Sequence, residues 1–190
     1  EATPAGTGAM AALLGAELDQ AQAIAADAAA ETKLVCGVAN DNGGGQVVVS
    51  GAKAAVERAV ALAAERGLKR AIMLPVSAPF HCPLMQPAAD VMAEALGAIA
   101  VAVPSVPVVA NVTAAPVRDP ETIRRLLIEQ VTGMVRWRET VLRLKEDGVT
   151  EIVELGAGKV LAGLVRRIDR DIEVRSVGTP ADVEAFLKTI

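Results

Sequence analysis

The chain has 190 residues, 52% hydrophobic and 22% charged, with a formal net charge of −4. That balance supports a substantial core and excludes an intrinsically disordered segment. Aromatic residues are only 2%, with no Tyr, so the core must be aliphatic and stacking platforms for single-stranded nucleic acid are excluded, while the negative net charge argues against a nucleic-acid binder.

In chain order, residues 8–15 read as a short buried strand, and residues 17–30, Ala-rich with Glu, Asp and Gln on one side, as an amphipathic helix. Residues 33–39 are β-prone, and Asn40-Asp41-Asn42-Gly43-Gly44-Gly45 is a turn cluster. A Val-rich strand over 46–50 and a helix over 52–66, stopped by Gly67, come next, then a strand over 70–75. The order β-α-β-β-α-β within about seventy residues predicts a ferredoxin-like domain. Beyond it, helical periodicity covers 84–99 and a Val-rich strand 106–112. Asp119 before Pro120 starts a helix through Val131, and a second helix covers 135–147. Strands over 151–155 and 173–177 flank a helix ending at Ile168, and Thr179-Pro180 caps a last helix near Lys188. This α/β order predicts a mostly parallel sheet with helices on its faces. About three strands are few for such a sheet, so partner strands are expected from elsewhere.

The only histidine, His81, lies in Val76-Ser77-Ala78-Pro79-Phe80-His81-Cys82-Pro83, a proline-stiffened apolar loop. Imidazole is the side chain that titrates near neutrality unaided, which makes His81 a candidate general base; the alternative is a histidine merely packed in a loop. Cys36 and Cys82 are too few for a disulfide framework or a zinc site, and a reducing, cytoplasmic setting fits them. Cys82 follows His81 directly, a poor spacing for a thiol–imidazole dyad. Gly156-Ala157-Gly158-Lys159 lacks the spacing and the following hydroxyl of a nucleotide phosphate loop; it reads as a strand-to-helix turn whose N–H groups can still face an anion. Ser50, Ser77, Ser105 and Ser176 all lack the flanking glycines of a nucleophile elbow. The chain thus offers a base without its nucleophile. No apolar run is long enough to span a membrane, and no signal peptide opens the chain. With no initiator Met, it reads as starting inside a longer polypeptide.

Several segments together resemble the malonyl-CoA:acyl carrier protein transacylase family, over its C-terminal portion. They are Gly6-Thr7-Gly8-Ala9-Met10-Ala11-Ala12, Val38-Ala39-Asn40-Asp41-Asn42 with Gln46-Val47-Val48-Val49-Ser50-Gly51, and Pro75-Val76-Ser77-Ala78-Pro79-Phe80-His81-Cys82. They continue with Val108-Val109-Ala110-Asn111-Val112, Glu129-Gln130-Val131 with Val135-Arg136-Trp137, and Glu154-Leu155-Gly156-Ala157-Gly158-Lys159-Val160-Leu161. The resemblance runs through nearly the whole chain in unbroken order. It departs at Asn42-Gly43-Gly44-Gly45-Gln46, where the family has a proline-containing turn, and at Ala157, where the family has Pro. The family's serine elbow, carboxylate-binding Arg and oxyanion loop match no residue here.

The resemblance implies residues 6–75 as a ferredoxin-like small subdomain and residues 76–190 as the C-terminal part of a large α/β-hydrolase-like acyltransferase domain. It implies transfer of malonyl from CoA to the pantetheine thiol of acyl carrier protein through an acyl-serine, with His81 as base and the main-chain carbonyl of Gln130 orienting it. Malonyl-CoA, acyl carrier protein and the absent N-terminal part of the same protein are the implied partners, with no cofactor, since the CoA thioester and the pantetheine thiol are substrates. Phe80 either fills the space of an α-methyl group, favouring malonyl, or packs the loop. Asn40, Asn42, Gln46 and Asn111 either line the acyl or pantetheine channel or serve turns and a strand end. Arg124 and Arg125, with Arg166, Arg167 and Arg170, either steer an acidic carrier or are solvated helix faces. Two rival readings remain: the acyltransferase domain of a polyketide synthase, and a non-catalytic metabolite-binding module.

Overall fold

Alternation of small and branched aliphatic residues builds the first half of the chain. β1 (Gly8–Leu14), α1 (Leu18–Thr32), β2 (Cys36–Asp41), β3 (Gln46–Ala52), α2 (Lys53–Glu65) and β4 (Arg70–Met73) follow in that order. The computed structural model describes residues 3, 4, 6–76 and 78–189; Glu1 and Ala2 at the start, Ala5, Ile190 and Ser77 of the histidine loop lie outside the described residues. The strands form one antiparallel sheet in the order β2-β3-β1-β4. This is the ferredoxin-like arrangement read from the sequence.

Successive residues of a strand face opposite sides of the sheet. Ala9, Ala11 and Leu13 of β1, with Val47 and Val49 of β3, therefore share a face. Against it lie Ala21, Ile24, Ala25 and Ala28 of α1 and Val56, Ala59, Leu62 and Ala63 of α2. Their helical spacing makes one apolar stripe per helix. Met10, Ala12 and Val48 form a second cluster on the other face, with Ala39.

That second face receives the histidine loop. Pro79, Cys82 and Met85 are buried. A 3-10 helix, Pro83–Met85, leads into α3 (Gln86–Gly97), so the helix predicted from residue 84 starts with a tighter turn.

The strand expected over 106–112 is the main correction. Only β5 (Val108–Val109) pairs, antiparallel to β6 (Pro116–Val117), which the sequence did not announce. The chain turns at Ala110, whose oxygen accepts from Thr113 and Ala114 N–H, and Pro107 and Pro116 offer no donors to extend the ladder. Asn111 therefore sits in a turn, not on a strand.

α4 (Pro120–Glu129) opens as predicted, with the Asp119 carboxylate accepting from Thr122 N–H at 2.8 Å. α5 (Trp137–Glu146), β7 (Glu151–Leu155), α6 (Val160–Ile168), β8 (Glu173–Val177) and α7 (Pro180–Leu187) complete the order. The chain divides into two compact units, residues 1–137 and 138–190. In the second, β7 and β8 pair in parallel across α6, the one parallel ladder among the described residues. The mostly parallel sheet expected from the order of elements is thus limited to two strands. Leu155 of β7 is 76% exposed, unusual for a parallel strand, which normally has both faces covered.

Candidate active site

His81 adopts φ 59, the left-handed region that side chains with a Cβ seldom occupy. The surrounding loop enforces it. Pro79 rests on Gly8: a Cβ built there would lie 2.4 Å from the proline ring. The buried Cys82 thiol donates to Pro79 O at 3.1 Å, and Met85 N–H donates to Cys82 O at 3.0 Å. With Pro79 and Cys82 fixed, the two-residue span between them turns through the strained conformation at His81, and such residues concentrate at functional sites.

The result is that half-buried His81 brings Nδ1 to 2.8 Å from the main-chain oxygen of Gln130. Gln130 caps the C-terminus of α4, where the last carbonyls lack intrahelical donors and carry the negative end of the helix dipole. Facing a carbonyl, Nδ1 must be the protonated nitrogen of the neutral ring, which leaves the Nε2 lone pair available. Among the described residues Nε2 has no hydrogen-bond partner.

The Gln130 side chain is tied down as well. Asn111 Nδ2 donates to Gln130 Oε1 at 2.8 Å, and Asn111 O accepts from Arg136 N–H at 2.9 Å. Val135 N–H donates to Ala39 O at 2.8 Å and Asp41 N–H to Val135 O at 2.9 Å, where β2 carries a bulge between Val38 and Asn40. Residues 130–136 thus link the β2–β3 hairpin to the histidine. Gly133 permits the path, since a Cβ there would meet Val112 Cγ1 at 2.8 Å and Glu129 O at 3.0 Å.

The other predicted site residues are more dispersed. Phe80 is 41% exposed beside His81. Asn40 is half-buried and bridges Val135 through main chain. Asn42 and Gln46 close the hairpin turn, with Asn42 N–H donating to Gln46 O at 3.0 Å across Gly43, Gly44 and Gly45, all at positive φ. This turn needs three glycines where a proline-containing turn would fix φ at one of them.

Several chemical groups fall outside the site. Burial pushes both thiols up, Cys36 to about 11, so neither is poised as a nucleophile. Gly156-Ala157-Gly158-Lys159 does lead into a helix, but Glu154 occupies that N-terminus. Its carboxylate accepts from Leu161 N–H at 2.9 Å and Ala162 N–H at 3.0 Å, and these bonds hold its pKa below the ordinary carboxylate value. An outside anion would find its place taken by an internal one. Arg125 pairs with Glu129 at 2.6 Å, and Arg124 donates to Ile99 O at 3.0 Å. Arg166 donates to Val174 O at 3.3 Å. Among the described residues no three metal-ligating side chains cluster, and no helix is long and apolar enough to cross a membrane.

The fastening of Gln130 by Asn111 and the seat of Pro79 on Gly8 were not legible in the sequence. Their signals were the Asn111 within a Val-rich stretch and the Gly6-Thr7-Gly8 start, neither of which names its partner.

The chain as a whole is similar to curated relatives and to solved structures. A malonyl CoA-acyl carrier protein transacylase of Haemophilus influenzae is 46% identical over 98% of this chain and 60% of its own length. That of Bacillus subtilis is 42% identical over 100% and 60%. This chain therefore spans about 60% of the curated relatives it matches. The structure of acyl-carrier-protein-S-malonyltransferase from Bartonella henselae superimposes with a TM-score of 0.92 at 50% identity, covering 99% of this chain and 59% of that one. A malonyl-transacylase solved in complex with a type II PKS acyl-carrier protein superimposes at 0.93 with 39% identity, covering 100% and 60%. The family model described as the acyl transferase domain matches residues 2–183. On this match and the fold it accompanies, the chain belongs to the acyl transferase domain family.

Proposed function

We propose that this chain forms part of a malonyl-CoA:acyl carrier protein transacylase and supplies its general base. The observation that carries the reading is the 2.8 Å approach of His81 Nδ1 to Gln130 O, which leaves Nε2 for a substrate-side proton. In the proposed reaction a serine outside these residues attacks the thioester carbonyl of malonyl-CoA while Nε2 accepts its proton. The tetrahedral intermediate collapses, the C–S bond breaks, and the CoA sulfur leaves with that proton. The pantetheine thiol of the carrier then gives its proton to Nε2 and attacks the malonyl-serine ester, and the serine oxygen takes the proton back as it leaves. The negative end of α4 faces the imidazolium formed in each half.

Phe80, exposed beside the base, is the residue we place against the α-carbon of the acyl group. Asn40, Asn42, Gln46 and Asn111 are assigned to the acyl and pantetheine path. The acidic carrier and malonyl-CoA are the partners, as the names of the relatives and the carrier complex support. No cofactor is needed, because the CoA and pantetheine thiols are substrates. Residues 6–75 are assigned to the small subdomain, whose sheet ends at Met73, and residues 76–190 to part of the large one. By itself the chain is assigned no transfer activity, for want of the nucleophile. The same chemistry within a polyketide synthase is the second reading, favoured by similarity to the transacylase solved with a type II PKS carrier.

The test is mass spectrometry of holo acyl carrier protein after incubation with malonyl-CoA and the full-length protein. A malonylated carrier is expected; an unmodified carrier overturns the reading. The 190 residues alone are expected to yield neither a malonylated carrier nor a malonyl adduct on themselves.

A further inference from the structure

We propose that Asn111 is a positioning residue for His81, acting through the side-chain amide of Gln130. This deepens the reading of His81 as the base and rests on it for its catalytic consequence, though not for its structural one. Gln130 performs two tasks with two oxygens. Its main-chain oxygen holds the imidazole at 2.8 Å, and its side-chain oxygen is held by Asn111 Nδ2 at 2.8 Å.

Packing alone does not fix the Gln130 side chain. It borders a cavity of about 170 Å³ lined by Val109, Val117, Ile123 and Leu126, with Asn111 at its edge. The aliphatic side chains there offer no donor or acceptor, and the side-chain oxygen of Gln130 finds its donor in Asn111 Nδ2. Gln130 is also the C-cap residue just past α4, where helices fray and dihedrals vary most readily. The Asn111 amide therefore restrains the peptide that presents the acceptor. Asn111 is anchored in turn by Arg136 N–H on its own oxygen, at 2.9 Å. The chain of bonds runs from Arg136 through Asn111 and Gln130 to His81. It lies within the first compact unit.

The neutral imidazole supplies a direct readout. Free imidazole side chains favour a proton on Nε2, whereas the geometry here requires it on Nδ1. Nitrogen-15 shifts of histidine-labelled full-length protein, with the His81 signal assigned by its loss from His81→Gln, report the tautomer. The wild type is expected to show the Nδ1–H form. Asn111→Leu, which keeps the side chain's bulk without its amide, is expected to shift the population towards Nε2–H. Gln130→Leu retains the main-chain oxygen and is expected to produce the same shift. The double variant is expected to add nothing to either, because both remove one bond. In the transfer assay Asn111→Leu is expected to lower kcat by between about ten- and a hundred-fold, the scale for losing a group that orients a reacting one.

A wild-type tautomer in Gln130→Leu overturns the proposal, whether or not Asn111→Leu folds. So does an Asn111→Leu effect that persists undiminished in the Gln130→Leu background. The spectra require no substrate. A shifted tautomer without any malonyl transfer in the wild type would therefore sink the transacylase reading and leave the positioning role standing.

Discussion

Pro79 lies directly on the bare Cα of Gly8, so close that a single added carbon at residue 8 would fall 2.4 Å from the proline ring. The first strand of the small sheet thereby fixes the height of the loop that carries His81. A proline ring has no flexible end to swing aside, so a larger residue must move the loop itself. Gly8→Ala is expected to destabilise the protein by about 1–3 kcal/mol, the range for overpacking a tight contact. Denaturant unfolding measures this; an unchanged midpoint would show that the loop accommodates the methyl group without strain. Malonyl transfer is expected to fall with it, because His81 is two residues along.

The backbone at His81 separates strain from chemistry. His81→Ala in the full-length protein is expected to lower malonyl transfer by at least about 10², the scale of general-base catalysis. His81→Gly should be equally inactive yet more stable than His81→Ala by about 1 kcal/mol, since φ 59 suits glycine and strains any residue with a Cβ. Thermal melts of the two variants give the comparison. Equal melting would mean that the loop relaxes once the imidazole is gone.

Phe80 offers the test of acyl selectivity. If its ring occupies the space of an α-methyl group, Phe80→Ser is expected to raise methylmalonyl transfer relative to malonyl. One methyl group limits the change to roughly 10–200-fold. Competition between the two CoA thioesters reads the ratio directly. A ratio equal to that of the wild type would return Phe80 to a packing role.

Glu154 ties β7 to the start of α6, and its bonds to Leu161 and Ala162 N–H favour the carboxylate. Its pKa in the folded state lies below the ordinary value of 4.5. A group depressed on folding stabilises the protein above its unfolded value, and the contribution fades as pH falls through the folded one. Wild type and Glu154→Gln are therefore expected to differ most near neutrality, with the variant melting lower. The difference should shrink below about pH 4.5, the unfolded value. A gap that stays constant into acid would remove the carboxylate from the account.

Much of the candidate site was legible as residue types and little of it as contacts. The βαββαβ order followed from Val- and Ala-rich alternation, from helical stripes and from Gly67, because each of these signals acts within a few residues. The same locality made the Asp119 and Thr179 caps readable, and both form. The strand over 106–112 was misjudged for the converse reason. β-propensity describes a fit to neighbours, and the ladder partner that Val106 and Val112 would need does not pair with them.

The sequence by itself determined an aliphatic small sheet under two Ala-lined helices, and a lone imidazole in a stiff loop. These depend on periodicity and on the restricted φ of proline, which the chain carries at every point. Only the tertiary structure decided what that imidazole faces. Forty-nine residues separate His81 from Gln130. Their meeting requires the seat of Pro79 on Gly8, the capped end of α4 and the Asn111 amide together. None of these is a local preference. Each is a close approach of distant segments, fixed by burial and by the need of main-chain groups for partners.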